Sequence, residues 1–219
     1  MDARSFYNAT AEVYDLRHDS PATLLVRKRE QSLVKRFARG RILDVGCGTG
    51  FHIRSGVTGL DISEKMLGKA RARSGLLVQG SESLPVRTGS IGTILCFFTV
   101  FNMVRPETAV GEFRRVLAPG GRVLLTVASI FDHGGAPGKT LQVHGKRLRI
   151  RLFTLGELKG LFSGFALEHF DGLFISAAPQ WGVWEKPGSW EASLRQDRFL
   201  PKEGGRIYCL VFKKTAKNF

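Results

Sequence analysis

Cysteines, acidic side chains and long apolar runs are few in this chain, and each shortage bears on what it can be. Three of the 219 residues are cysteine. Cys47, Cys96 and Cys209 show no C-x-x-C spacing and stand beside no histidine set, which argues against a disulfide scaffold and against a thiolate metal site. They read as reduced and mostly buried thiols, and no metal is expected. Aspartate and glutamate number 19 against 33 lysines and arginines, a formal charge of +14. Such a surface attracts phosphate-bearing partners: nucleic acid, anionic lipid headgroups or acidic metabolites. A generally basic proteome or a heat-adapted surface accounts for the same excess. Long apolar runs are missing too. The longest, residues 91–104, contains Gly, Thr and Asn and is too short to span a bilayer. The N-terminus carries no secretory pattern, so a cytoplasmic protein is expected.

What is present is an apolar fraction of 43%, enough for one buried α/β domain with an elaboration. Residues 41–45 read as a short buried strand, with Ile42, Leu43 and Val45 apolar. Gly46, Gly48 and Gly50 follow at alternate positions. Glycine permits a sharp turn at positive φ and lets a ligand approach the backbone. A strand running into such a turn is a nucleotide-binding loop. The spacing is G-x-G-x-G, not the G-x-G-x-x-G of dinucleotide binders. Asp44, two residues before the first glycine, suits a ligand with an ammonium group better than one with a pyrophosphate.

The run I-L-D-V-G-C-G-T-G at residues 42–50 resembles motif I of the class I S-adenosylmethionine-dependent methyltransferases. Residues 57–67 resemble the next motif, with Asp61 at the acidic end of the second strand. Residues 115–124 resemble the helix–turn–strand after the fourth strand. Three motifs in order span roughly residues 14–127, over half the chain. The resemblance implies a Rossmann-like, doubly wound, seven-stranded sheet, mostly parallel with an antiparallel last strand, and S-adenosylmethionine as cofactor. It implies that Asp44, Gly46, Cys47, Gly48 and Gly50 hold the methionine end and that Asp61 holds the ribose. Ile62 and Met66 flank the adenine, Ser81 and Glu82 lie near it, and Phe98 borders the cofactor. The family pattern D-A-E-x-L-P-F reads here Gly80-Ser-Glu-Ser-Leu-Pro-Val86. The aspartate that normally holds the adenine amino group is absent, and Ser81 is the substitute at hand. One lost hydrogen bond of this kind weakens binding by about 0.5–1.5 kcal/mol without abolishing it. Gly92 likewise stands where the family usually has an aspartate.

Around these motifs the chain is expected to form one domain, residues 1–219. Residues 1–20, with Phe6, Tyr7 and Tyr14, resemble the entry segment that folds over the cofactor in many small-molecule methyltransferases. Residues 128–155 and 175–205 are substrate-side elaborations. Pro21 opens a helix to about Phe37, with Val26, Leu33, Val34 and Phe37 on one face and Arg27, Lys28, Arg29, Lys35 and Arg36 on a solvated one. From Gly50 the chain reaches Asp61 in fewer residues than the dozen or more a parallel crossover needs. The first crossover helix is therefore one or two turns long and the cleft more open on that side. His52 there faces the cofactor or is simply satisfied. Ser63 caps a helix through Arg73. A central strand over residues 93–98 precedes Thr99, Phe101 and Asn102, at the strand end where doubly wound sheets bind ligands.

Pro106 to Leu117 forms an amphipathic helix, and residues 122–127 the fifth strand. Residues 140–152 read as a hairpin whose second arm alternates Leu148, Ile150 and Leu152 with Arg147, Arg149 and Arg151. Residues two apart lie about 6.6–6.8 Å apart along a strand, so the arginines either track phosphates or form a wet face. Thr154 and Glu157 have capping-box spacing. Residues 165–174 and 206–212 close the sheet. All three tryptophans fall between residues 177 and 190, as a pocket wall, a cation–π surface for an amine, or packing under a loop.

Methyl transfer needs alignment and exclusion of water more than a catalytic triad, and none is visible. Tyr7, Tyr14, Asn102 and His133 are the candidate substrate contacts, with Tyr14 also against the cofactor and His133 as candidate base. Three functions fit. One is a methyltransferase acting on a small molecule or lipid headgroup. The second is a tRNA or rRNA methyltransferase. The third is a non-catalytic partner subunit that keeps the fold.

Overall fold

A computed structural model describes residues 1–70, 76–78, 82–97, 101, 105–175 and 199–215. Seven strands form one sheet in the order β3-β2-β1-β4-β5-β9-β8. They are β1 (Ile42–Val45), β2 (Val57–Asp61), β3 (Leu76–Val78), β4 (Ile91–Cys96), β5 (Leu117–Ala128), β8 (Phe165–Leu173) and β9 (Ile207–Lys214). Only β9 runs against its neighbours, pairing antiparallel with both β5 and β8. The other pairs are parallel, with Ile42 opposite Val57 and Thr93. This is the expected doubly wound sheet. Its order reverses at β1 and β4, so the C-terminal ends of those strands open the crevice where such sheets hold ligands.

Each face of the sheet has its own apolar layer. On one, α5 (Pro106–Val116) and α6 (Leu155–Leu161) pack Phe113, Leu158 and Phe162 against Leu43, Ile94 and Val123. On the other, α3 (Pro21–Phe37) lays Val26, Leu33 and Val34 against Leu95, Leu124 and Val211. Both helices begin as the sequence dictates. Ser20 caps α3 ahead of Pro21, and Thr154 and Glu157 make the reciprocal capping box of α6. The hairpin is separate: β6 (Gly138–Val143) and β7 (Lys146–Arg151) turn at His144 and Gly145, both at positive φ. Leu148 and Ile150 are buried with Phe6 and Ala128, while Arg147, Arg149 and Arg151 are exposed.

Three boundaries differ from the sequence reading. The first crossover has no helix. Residues 46–56 return by successive turns, closed by Gly50 N–H to Cys47 O, Ile53 N–H to Gly50 O and Val57 N–H to Arg54 O. The expected one- or two-turn helix is replaced by these turns, which meet α3 at the contact between His52 and Glu30. α4 (Glu64–Gly68) ends well before Arg73, whose neighbourhood, residues 71–75, lies outside the described residues. β5 starts at Leu117, straight from α5, and Gly120 at positive φ lets the chain bulge before pairing resumes at Arg122. The tryptophan stretch lies outside the described residues.

Gly92 shows why the family's aspartate is absent. A Cβ there would lie 2.3 Å from the Arg39 carbonyl oxygen and 3.0 Å from Gly40 Cα. The chain entering β1 is latched to β4 at this point: Thr93 Oγ1 accepts from Arg39 N and donates to Arg39 O, both at 2.8 Å. Overpacking of this kind costs about 1–3 kcal/mol. At about 2–4 °C per kcal/mol for a chain of this size, Gly92→Ala should lower the thermal midpoint by several degrees in a calorimetric scan. An unchanged midpoint would show that the backbone parts there without cost.

Candidate functional site

The glycine loop leaves β1 with Gly46, Gly48 and Gly50 at φ of 78°, 55° and 80°, a region that side chains avoid. The amides of Gly46, Cys47, Gly48 and Gly50 are spent inside the protein. Gly46 N–H and Cys47 N–H both donate to Leu60 O, at 2.7 and 2.9 Å, and Gly50 N–H donates to Cys47 O. Gly48 N–H donates to Asp61 Oδ2 at 2.8 Å. A phosphate cradle needs such groups free. This loop instead offers close backbone approach beside buried acceptors.

Asp44, at the end of β1, is 2% exposed, and its Oδ2 has no hydrogen-bond partner among the described residues. Burial pushes its carboxyl up to about 7; nearby His52 pulls against this, and Glu30 and Asp61 add to it. Asp61, at the end of β2, accepts Gly48 N–H on one oxygen and Ser63 N–H on the other, both at 2.8 Å. Its carboxyl is raised by burial and held back by those amides and that of Ile62. Each oxygen keeps a further lone pair for a hydroxyl.

A cavity of about 50 Å³ lies over this loop, lined by Asp44, Gly46, Cys47 and Thr49 and by Tyr14, Phe97 and His52. Burial pushes the Cys47 thiol well up, and the Tyr14 phenol likewise, so both stay protonated near neutrality. The same cavity reaches Arg27 and Glu30 of α3. Glu30 is 1% exposed, its Oε2 lies 3.0 Å from His52 Nε2, and its Oε1 has no partner among the described residues. His52 is thus both satisfied and at the cavity wall. The Arg27 guanidinium stacks 4.2 Å over the Phe51 ring.

The N-terminal segment lies on top. α1 (Ala3–Thr10) and α2 (Tyr14–Arg17) are tied to the loop and to α4. Asn8 Oδ1 accepts from Ser63 Oγ at 2.6 Å, Lys69 pairs with Glu12 at 2.6 Å, and Thr49 Oγ1 donates to Asp15 at 2.7 Å. Arg4 pairs with Glu64. Tyr14 approaches Gly48, where an added Cβ would meet its ring at 3.8 Å. Beyond Tyr14 and His18, which stack at 4.1 Å, a second cavity of about 220 Å³ opens between α1, the end of β5 and the hairpin. Phe6, Tyr7, Leu141 and Ile207 line it, with Asp132 and Lys139 as an ion pair at its wall.

Asp44, Gly46, Cys47 and Tyr14 therefore meet around one cavity. Gly48, Gly50 and Asp61 do not line it; Asp61 reaches the loop through the Gly48 amide. Ile62 is exposed beside Asp61, and Met66 is buried beneath α4's first turn. Glu82 is exposed and accepts Arg105 N–H at the start of α5. Ser81, Phe98 and Asn102 lie outside the described residues, as does the side chain of His133. Sequence reading missed Arg27 and Glu30. Glu30 had a signal, a charged residue on the apolar stripe of α3, where Thr23, Val26, Glu30 and Val34 recur at helical spacing; Arg27 had none.

Residues 43–125 match the Methyltransferase domain family. A ubiquinone/menaquinone biosynthesis C-methyltransferase of Syntrophotalea carbinolica is 32% identical over 143 residues, 57% of this chain and 60% of that protein. The chain spans 54–60% of the length of the first curated relatives it matches. Among solved structures, a complex of the Haloferax volcanii Trm112 methyltransferase activator with a methyltransferase superposes with a TM-score of 0.68 at 19% identity, covering 100% of both chains. The 1,6-didemethyltoxoflavin-N1-methyltransferase of Burkholderia thailandensis, with S-adenosylhomocysteine bound, gives 0.63 at 18% identity over 97% of this chain and 87% of that one. These likenesses establish the fold. Residues 43–125 thus carry a match to a methyltransferase domain, within a chain whose fold is shared with methyltransferases that use S-adenosylmethionine.

The site fits that cofactor on its own terms: an unpartnered buried carboxylate oxygen calls for a cation, and the glycines leave room for it. Asp44 also links folding to pH. Its folded pKa of about 7 exceeds the unfolded value of about 3.9, so the stability conferred by its proton is full below about pH 4 and is lost as pH rises through about 7. Asp44→Asn should therefore melt higher than wild type at pH 8 without ligand, and the gap should close towards pH 5. The same variant should lose S-adenosylhomocysteine affinity about tenfold or more by titration calorimetry. A variant that melts lower at pH 8 would show that the charge is compensated.

Proposed function

We propose that this chain transfers a methyl group from S-adenosylmethionine to a small-molecule acceptor by in-line displacement. The observation that carries the reading is the pair of cavities meeting at Tyr14 and His18, one over the glycine loop and one beneath the N-terminal helix. When bound, the cofactor supplies a methyl group activated on a sulfonium. Asp44 and the glycine loop hold its amino-acid end, and Asp61 takes the ribose hydroxyls. α1 and α2 act as the lid, excluding water and keeping the acceptor against the Tyr14 side. Orientation in a dry, closed site then supplies much of the acceleration. Tyr14 keeps its proton near neutrality, so it positions the acceptor and does not act as base.

The second cavity, about 220 Å³, is smaller than the usual 300–1,000 Å³ of drug-sized sites and is walled mainly by aromatic and aliphatic groups. That supports a compact, largely apolar acceptor. The relatives point the same way: one is a quinone-biosynthesis C-methyltransferase, another a phosphatidylethanolamine N-methyltransferase, and one structural neighbour holds 1,6-didemethyltoxoflavin. A second reading, RNA methylation, draws on Arg147 and Arg149, exposed on the outer face of the hairpin.

Incubating the protein with methyl-labelled cofactor and either a fractionated small-molecule and lipid extract or total RNA separates the two. Label should enter the small-molecule or lipid fraction, at a rate insensitive to salt. Label entering RNA, with an affinity that falls steeply between about 50 and 200 mM salt, would favour the second reading. Absence of S-adenosylhomocysteine binding would reduce the chain to a non-catalytic subunit. Tyr14→Ala, which opens the wall between the cavities, should lower turnover at least about tenfold.

A further inference from the structure

We infer that Glu30 is a second carboxylate of the cofactor site, clamping with Asp44 the ammonium group at the amino-acid end. The inference deepens the cofactor reading above and rests on it. Glu30 belongs to α3, outside the glycine loop and the three sequence motifs, yet it is 1% exposed and is one of the residues around the same cavity as Asp44. His52 Nε2 holds Oε2 at 3.0 Å, which fixes the carboxylate and leaves Oε1 without a partner among the described residues. Asp44 Oδ2 is in the same condition. A buried carboxylate oxygen without a partner is costly, and two on one small cavity call for a common cation.

The chemistry narrows that cation. Among the described residues no group of three or more His, Cys, Asp or Glu is arranged to hold a metal ion. A water supplies two hydrogens but no charge. An ammonium supplies three donors and a full positive charge, which satisfies both orphaned oxygens and one further acceptor. The groups facing the cavity are Asp44 from β1, Cys47 from the loop, His52 from the crossover, Tyr14 and His18 from the N-terminal segment, and Arg27 and Glu30 from α3. Arg27 is the fixed cation among them. Two acids and one guanidinium around about 50 Å³ are the charge pattern of a site for an amino-acid zwitterion. The missing crossover helix lets α3 supply these groups, because α3 and the turns between β1 and β2 meet directly at Glu30 and His52.

The test is calorimetric titration of the full-length protein with S-adenosylhomocysteine and with 5′-methylthioadenosine, which lacks the amino-acid end. Wild type should bind both, the former more tightly. Glu30→Gln should weaken S-adenosylhomocysteine about 10- to 100-fold, the range of a charge-assisted hydrogen bond, and leave 5′-methylthioadenosine within about twofold. Glu30→Asp, which keeps the charge, should recover part of the lost preference. Unchanged S-adenosylhomocysteine affinity in Glu30→Gln overturns the inference, as does an equal loss for both ligands, the mark of a structural role. An aspartate variant no better than the glutamine variant overturns it too. Wild type that fails to bind S-adenosylhomocysteine overturns the cofactor reading itself, a distinct result.

Discussion

The end of β2 holds the glycine loop, and the rest of the site depends on that grip. The Leu60 carbonyl takes two loop amides and the Asp61 carboxylate takes a third, while Asp61's other oxygen takes the amide that opens α4. The bend is thereby fixed by backbone groups that no ligand needs to pay for. Four of its donors, the amides of Gly46, Cys47, Gly48 and Gly50, are already used, so the loop presents space and acceptors more than a ring of N–H groups. The unpartnered Asp44 oxygen beside it favours a ligand that brings positive charge there, which is what the proposed function requires of the amino-acid end.

The same arrangement stores a cost. Asp44 and Glu30 each keep a buried oxygen unpartnered among the described residues, and burial lifts the Asp44 carboxyl into the neutral range. Such groups destabilise the ligand-free fold and favour the bound one, because anything that binds only the folded chain stabilises it by mass action. The N-terminal helices complete the enclosure. They are anchored by polar contacts at Asn8, Glu12 and Asp15 and add only a small apolar cluster around Phe6. An element with fewer apolar contacts than the sheet beneath it opens at lower free energy. Under the proposed function, this is the segment that covers cofactor and acceptor.

Much of this was legible in the residues. The sheet followed from strand-length apolar runs, with β4 buried almost throughout as a central parallel strand requires. The capping box at Thr154 and the alternation of Leu148 and Ile150 fixed α6 and the hairpin to within a residue or two. The glycine loop and Asp44 were legible because their spacing carries a backbone requirement. Helix ends were not: α4 stops early, and β5 begins without the break that Pro119 and the two following glycines suggested. Least legible was the role of α3. Arg27 sits within a run of charges that reads as a solvated face, and Glu30 falls on the apolar stripe with Val26 and Val34, a position that names no partner by itself.

The most direct measurement is a crystal structure of the complex with S-adenosylhomocysteine. The account requires the ligand's ammonium nitrogen within hydrogen-bond distance of Asp44 Oδ2, with the ribose hydroxyls on Asp61. An amino-acid end turned away from Asp44, or a nucleoside seated anywhere but over the Gly46–Gly50 bend, would contradict it.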